Sequence, residues 1–142
     1  MKLFICFLLG ISLSVHVCSQ SLNVTNLACE HQANPLGIDE QYPRLSWQLQ
    51  SEERNVIQDA YQLRVAESME QLEGGRKLIW DSGRVSSGQS LYIPYAGPAL
   101  EAGKRYYWQV RVWNGQGRSS GWSAPAWWEM GLGGPEKWQG KW

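Results

Sequence analysis

The acidic side chains are the residues of this chain that could supply acid–base chemistry. Hydrolysis by paired carboxyl groups needs an acid and a base on either side of the bond that breaks. Glu52 and Glu53 form the densest pair, but they lie in a polar connection, where we expect them to be solvated. Adjacent residues of an extended strand also point to opposite faces, so the two cannot flank one bond. Asp81 lies in a turn where it can cap backbone amides, and Glu129 is expected to face outward beside Trp127. We therefore assign no catalytic residue to this chain.

Cysteine and histidine are too few for a disulfide framework or a metal site. Of three cysteines, Cys6 and Cys18 lie in or beside an apolar N-terminal run, which leaves Cys29 alone in the rest of the chain. We expect Cys29 to be a small buried hydrophobe, because no sequence neighbour clearly lowers its thiol pKa, although His31 could in principle assist it. The chain also has no phosphate-loop or dinucleotide motif. We expect neither a metal nor a cofactor.

Aromatic side chains are the stronger candidates for a binding surface, since the chain has nine Trp and six Tyr but only two Phe. Sugar C–H faces stack on such rings, and Arg111 or Gln109 could then bond the hydroxyl groups. The same rings could instead form a dry patch against a larger protein, because interfaces concentrate aromatic residues and arginine. We favour the interface. The candidate outward rings are Tyr107, Trp113, Trp127, Trp138 and Trp142.

Residues 1–19 are predicted to be a secretion signal. Lys2 supplies the positive start, and the apolar run from Leu3 to Leu13 has the length of a signal core and is too short to span a bilayer. Lipid attachment at Cys18 is not expected, because Val17 stands where a small residue is required. The protein is therefore expected to be secreted or periplasmic, with no transmembrane segment once the signal is removed.

Length and charge limit the remaining classes. At 142 residues, one domain with one core is expected. Lys and Arg number 13, as do Asp and Glu, so no net charge favours a nucleic acid or an anionic membrane. We expect no nucleic-acid partner.

Short alternating runs separated by turn residues predict an all-β antiparallel sandwich of about seven strands. The predicted strands are Leu22–Glu30, Arg44–Gln50, Ala60–Glu67, Leu78–Trp80, Gln89–Ile93, Tyr106–Trp113 and Gly121–Met130. A single helical turn is predicted at Met69–Glu73, after a capping serine. In the strongest strand the core face is expected to hold Tyr106, Trp108, Val110 and Val112. Tyr107, Arg111 and Trp113 share the opposite face, where a one-sided sheet would prefer polar residues.

One part of this pattern resembles a known fold. Leu100, followed by Tyr106 and the alternating strand after it, is similar to the tyrosine-corner strand of fibronectin type III domains. Trp122-Ser123 resembles the closing strand of that fold. We therefore expect a fibronectin type III or immunoglobulin-like sandwich at residues 20–132, with residues 133–142 beginning a linker to a following domain.

A more extensive resemblance covers nearly the whole chain after the predicted signal. The matching segments are, in order, Asn34–Asp39, Pro43–Trp47, Ala60–Gln62, Trp80–Gly83, Val85, Gln89–Ser90, Pro94–Tyr95, Tyr107–Trp113, Trp122–Ser123, Trp128–Leu132 and Trp138–Trp142. Together they resemble the N-terminal β-sandwich of bacterial α-L-rhamnosidases of glycoside hydrolase family 78.

The resemblance implies a parent enzyme that removes terminal α-L-rhamnose from glycosides with inversion of configuration. In that family the catalytic carboxylates lie in a large helical toroid, and no residue here matches the toroid motifs. We therefore expect an accessory domain, inactive alone, whose partners are the following domains of the enzyme. Rhamnose-containing glycans are a second candidate partner, and a stand-alone carbohydrate-binding or surface interaction module is the alternative function.

Overall fold

Two antiparallel sheets pack face to face in the computed structural model, which describes residues 22–133. The elements are β1 Leu22–Cys29, β2 Arg44–Ser51, β3 Gln58–Ala66, α1 Met69–Gly74, β4 Trp80–Asp81, β5 Val85–Ser86, β6 Ile93–Pro94, β7 Arg105–Asn114 and β8 Ala126–Glu129. The all-β prediction is confirmed, with eight strands in the described part of the chain. The predicted signal sequence, Trp138 and Trp142 lie outside the described residues.

The sheets differ in size. The small sheet has the order β1-β2-β6, and the large sheet has the order β4-β3-β7-β8, with β5 also paired to β3. In the large sheet, Leu63 of β3 lies opposite Val110 of β7, and Tyr107 of β7 lies opposite Trp127 of β8. All named pairings are antiparallel.

The core lies between the sheets and is built from the predicted inward residues. Alternation in β7 buries the four residues Tyr106, Trp108, Val110 and Val112, each at most 2% exposed, as predicted. Trp47 of β2 enters from the small sheet and meets the Tyr61 ring edge-on at 5.2 Å between centroids. The Trp47 indole N–H donates to Gln58 Oε1 at 2.9 Å, so its polar edge is satisfied inside the core.

The tyrosine corner is confirmed. The hydroxyl oxygen of Tyr106 accepts a hydrogen bond from the backbone N–H of Glu101 at 2.9 Å, while Leu100 is buried beside it. The predicted helical turn is also present as α1, capped by the Ser68 hydroxyl, which accepts from the N–H of Gln71. Gly75 closes α1 in the left-handed conformation with φ 61°, where glycine carries no Cβ penalty.

The predicted strand at Gln89–Ile93 is mostly wrong. Only Ile93 remains in a strand, paired with Leu45 in β6–β2. The side-chain amide of Gln58 donates to the carbonyl oxygens of Ser87 and Gln89 at 3.0 and 2.8 Å, so a side chain takes the place of a strand partner. The short strand β5 was not predicted, and the predicted Leu78–Trp80 strand is shifted to β4.

The predicted strand at Gly121–Met130 is too long at its start. Its first half is not a regular strand, although the backbone N–H groups of Ser120 and Ser123 each donate to a β7 carbonyl, those of Val112 and Val110, at 2.9 Å. In the return direction, serine hydroxyls take the place of backbone acceptors. The Ser120 hydroxyl accepts from the N–H of Val112 at 3.0 Å, and the Ser123 hydroxyl accepts from the N–H of Val110 at 3.1 Å. Only β8 continues as a regular strand.

Candidate functional site

The outer face of the large sheet carries stacked tryptophan and arginine side chains, which we call the arginine–tryptophan face. Its members are Trp113, Trp122, Trp127, Arg64, Arg84, Arg105 and Arg111. Alternation in β7 predicted correctly that Tyr107, Arg111 and Trp113 lie on this side, and all three are half-buried.

Two guanidinium groups lie close to the Trp113 ring. Arg84, just before β5, and Arg111, two residues earlier on β7, each place their guanidinium carbon 4.8 Å from the Trp113 ring centroid. Ala60 of β3 lies opposite Trp113 and is fully buried, although it faces outward. The ring therefore covers the sheet and is itself flanked by cations.

Trp122 belongs to the same stack, and the sequence analysis did not select it as a site residue. Its ring lies under Arg64 at 4.0 Å and under Arg111 at 4.6 Å. It comes from the irregular segment before β8, where side-chain alternation gives no face assignment. The available signal was the Gly121-Trp122-Ser123 sequence, which was used only as a fold marker.

Tyr107 and Trp127 form a second aromatic group at the other end of β7. They are direct neighbours across the β7–β8 pairing. The guanidinium of Arg105 lies 3.9 Å from the Trp127 ring centroid and is paired with Glu129 at 2.9 Å. Tyr107 and Trp113 are six positions apart along β7, about 20 Å. The candidate residues in the described part of the chain therefore form two groups and no single site.

A buried amide organises the middle of the face. Gln62 of β3 is 8% exposed, and its Oε1 accepts from Nε and Nη2 of Arg111 at 3.0 and 2.8 Å. Its amide nitrogen donates to Asp81 Oδ1 at 2.6 Å. Asp81 also accepts from the N–H of Gly83 at 2.8 Å, as predicted for a turn cap, and pairs with Arg64 at 3.4 Å. Arg111 is thus fixed by a neutral amide.

The charges along the face are balanced unevenly. Arg105 and Arg64 each have a carboxylate partner, whereas Arg84 and Arg111 have none within residues 22–133. The face therefore has a neutralised end around Trp127 and an open cationic end around Trp113. We call the latter, made of Arg84, Arg111 and Trp113, the open end.

The outer face of the small sheet has a different character. Asn23 and Thr25 of β1 lie opposite Gln50 and Gln48 of β2, so polar side chains meet water there. A polar outer face is the ordinary state of a one-sided antiparallel sheet. The aromatic outer face of the large sheet is the exception in this molecule.

The carboxylates do not assemble into an acid–base pair in the described cavities. Cavities of about 470, 360, 150 and 140 Å³ are each lined by a single acidic side chain, namely Glu70, Asp81 and, in the two smallest, Glu53. Glu52 is exposed, as expected, whereas Glu53 is half-buried and paired with Arg118 at 3.3 Å. Within residues 22–133 no cluster of three or more His, Cys, Asp or Glu side chains could hold a metal ion.

Cys29 is a buried hydrophobe, as predicted. Desolvation, with a smaller contribution from the charge of Glu30, raises the pKa of its thiol to about 12. His31 does not serve it, because the imidazole is exposed and lies against Tyr92 at 4.9 Å between ring centroids. The Glu30 carboxylate is occupied by Arg44, whose hydrogen bonds lower the pKa of Glu30.

Among the described residues, no helix has both the length and the apolar character needed to cross a membrane.

An antiparallel sandwich closed by a tyrosine corner is an immunoglobulin-like domain. Residues 24–134 match the family described as "Rha78A-like, N-terminal immunoglobulin domain". The chain belongs to this family and corresponds to the N-terminal accessory domain of α-L-rhamnosidases.

The similar proteins are named α-L-rhamnosidases. The chain is 48% identical over 122 residues to an α-L-rhamnosidase of Streptomyces avermitilis, covering 86% of this chain and 12% of that enzyme. It is 34% identical over 123 residues to an α-L-rhamnosidase of Formosa agariphila, covering 86% and 13%. The chain thus spans about an eighth of the length of these relatives.

The solved structures agree. The crystal structure of the Streptomyces avermitilis α-L-rhamnosidase complexed with L-rhamnose matches with a TM-score of 0.81 and 47% identity, covering 86% of this chain and 12% of that chain. The α-L-rhamnosidase structure from Dictyoglumus thermophilum matches with a TM-score of 0.80 and 38% identity, covering 84% and 13%. In both cases the likeness is to a small part of a larger enzyme.

Proposed function

We propose that this chain acts as a framework domain of a secreted α-L-rhamnosidase by packing the arginine–tryptophan face against the rest of that enzyme. The observation that carries the proposal is that the half-buried tryptophans on the outside of the large sheet are already stacked with guanidinium groups. Rings flanked in this way offer little free face to a sugar. Tryptophan and arginine together are typical of protein interfaces.

The hydrolysis of terminal α-L-rhamnose is assigned to other parts of the enzyme. Inversion requires two carboxyl groups about 6.5–9.5 Å apart, with room for a water molecule between them. The described cavities, each with one acidic side chain, support an inactive domain. Following domains of the same polypeptide are then its partners.

The proposed organisation has a signal sequence at residues 1–19, the sandwich at 20–132 and a linker from 133 to 142. The family match over residues 24–134 supports the bounds of the sandwich. Export to the periplasm or the medium is consistent with the sequence features of the first segment.

The proposal is tested with two proteins. One is the chain from residue 20 onward, and the other is the Streptomyces avermitilis enzyme whose matching N-terminal region is replaced by residues 22–133 of this chain, called the chimera. On an aryl α-L-rhamnoside, the isolated chain should show no turnover above the blank, while the chimera should hydrolyse the substrate. Turnover by the isolated chain would contradict the assignment of catalysis to other domains.

A second candidate function is binding of rhamnose-containing glycans. It is favoured by the direct apposition of Tyr107 and Trp127 on the outer face. Titration of the isolated chain with rhamnose oligosaccharides, followed by Trp fluorescence, separates the two functions. The framework proposal predicts no saturable change. Saturable quenching that is lost in Trp113→Ala or Trp127→Ala, and retained in the small-sheet control Tyr92→Ala, would favour the binding module.

A further inference from the structure

The open end of the arginine–tryptophan face concentrates positive charge that the domain itself does not neutralise. Arg84 is exposed, and Arg111 is half-buried with its Nε and Nη2 on the neutral Gln62 amide. The described part of the chain is acidic as a whole, with 10 Lys and Arg against 12 Asp and Glu in residues 22–133. The open end is therefore positively charged, whereas the described part of the chain has a negative net charge.

We propose that the open end docks onto a carboxylate-bearing protein surface in the remainder of the rhamnosidase. This inference rests on the framework function proposed above and identifies the chemistry of the partner surface. Carboxylates are the natural partners of guanidinium groups, since the planar fork of arginine matches the two oxygens. Arg105 is paired with the carboxylate of Glu129. The arginines of the open end have no such partner within residues 22–133.

The arrangement of Arg111 favours a fixed docking contact over a loose attraction. Its guanidinium is held by Gln62 and lies against both Trp113 and Trp122, so its position is set before a partner arrives. A charge that is already positioned loses less conformational entropy when it is paired. The rings beside it would exclude water from the contact and strengthen the ion pair.

A protein surface fits the open end better than a sugar does. A sugar platform requires an accessible ring face. The guanidinium carbons of Arg84 and Arg111 each lie 4.8 Å from the centroid of the Trp113 ring. The groups presented outward are cations spread along a sheet. Such a surface is complementary to acidic side chains of a neighbouring domain.

The test compares the melting temperatures of the isolated chain and the chimera, each as wild type, Arg84→Gln and the double variant Arg84→Gln/Arg111→Gln. The matched control is Arg54→Gln/Arg76→Gln, which removes two exposed arginines outside the face. In the chimera, the double variant should lower the melting temperature of this domain by about 4 °C more than it does in the isolated chain. The control should show no excess.

The single variant Arg84→Gln is expected to fold normally, since Arg84 is exposed and lies beside the Trp113 ring. It therefore separates the loss of a docking contact from a folding defect. Arg84→Gln should also lower the melting temperature more in the chimera than in the isolated chain, by less than the double variant does. Equal shifts in the isolated chain and the chimera would overturn the proposal, because the arginines would then act only within the domain.

Two further outcomes have distinct meanings. If the wild-type domain melts at the same temperature in the chimera and alone, no packing occurs, and the framework function itself fails. If oligogalacturonate stabilises the isolated wild-type chain and not the double variant, a glycan carboxylate is the partner, and the proposal of a protein surface is overturned.

Discussion

At the scale of single residues, Tyr106 and Cys29 contribute to the fold, and Arg111 contributes to the charge of the outer face. Tyr106 closes the corner before β7 with a single bond from Glu101 N–H, and its ring is 2% exposed. The Cys29 thiol fills a core position and has no polar partner within residues 22–133. The guanidinium of the half-buried Arg111 donates to the neutral Gln62 amide and has no carboxylate partner within residues 22–133.

Tyr106→Phe should lower the free energy of unfolding by about 1 kcal/mol, because it removes the acceptor of the Glu101 N–H and keeps the ring in place. Tyr107→Phe is the matched control: the Tyr107 hydroxyl makes no hydrogen bond within residues 22–133. Urea unfolding of the isolated chain measures both. Equal losses for the two variants would show that the corner bond does not stabilise the fold.

The Cys29 thiol predicts a specific dependence of stability on pH. Because burial raises its pKa from 9.0 to about 12, the folded state keeps the proton in that range while the unfolded state loses it. Its contribution to stability is therefore complete below pH 9.0 and declines as the pH rises towards about 12. Urea unfolding at increasing pH should show a steeper alkaline loss for the wild type than for Cys29→Ala. Parallel curves would contradict the assignment.

At the scale of elements, the long strands could be predicted and the short ones could not. Alternating apolar residues in the sequence predict β1, β2, β3 and β7, since each presents one apolar face to the other sheet, although β3 is buried on both faces. The edges of the large sheet depend on side chains instead. Ser82 bonds to the backbone of Leu63, just as Ser120 and Ser123 bond to β7. Single-residue hydrogen bonds of this kind leave no periodic signal in the sequence.

The side chains of the candidate site that lie on regular strands could also be predicted, and the others could not. Tyr107, Trp113 and Trp127 lie on the outer face as strand alternation indicates. The same alternation placed Arg111 on the face of Trp113. Arg84 and Arg64 were not predictable as members of the face, because they reach it through the pairing of β5 with β3 and of β3 with β7. Trp122 was not predicted as a site residue, because it lies in an irregular segment held by serines, where side-chain alternation does not indicate a face.

Ser123→Ala tests whether serine side chains substitute for a strand. The Ser123 hydroxyl accepts from the N–H of Val110, a fully buried residue, so its loss leaves a buried donor unpaired. We expect a loss of about 1–3 kcal/mol in the free energy of unfolding. Ser86→Ala is the control, since Ser86 is exposed at the edge of the large sheet. If Ser123→Ala costs no more than the control, the irregular segment is not held in this way.

At the scale of the whole molecule, the two outer faces have opposite surroundings. The small sheet presents polar side chains, whereas the large sheet presents stacked rings and cations. The chain covers 12% of a related enzyme. The proposed framework function therefore predicts that the large sheet faces the rest of the protein and that the small sheet faces water.

Hydroxyl-radical labelling of the isolated chain and of the chimera, read by mass spectrometry, tests this orientation most directly. The framework account predicts that Trp113, Trp122 and Trp127 are oxidised several-fold less in the chimera than in the isolated chain. Tyr42 and Tyr92, which are 56% and 48% exposed away from the large sheet, should be labelled equally in both. Equal labelling of the three tryptophans in the two proteins would contradict the account.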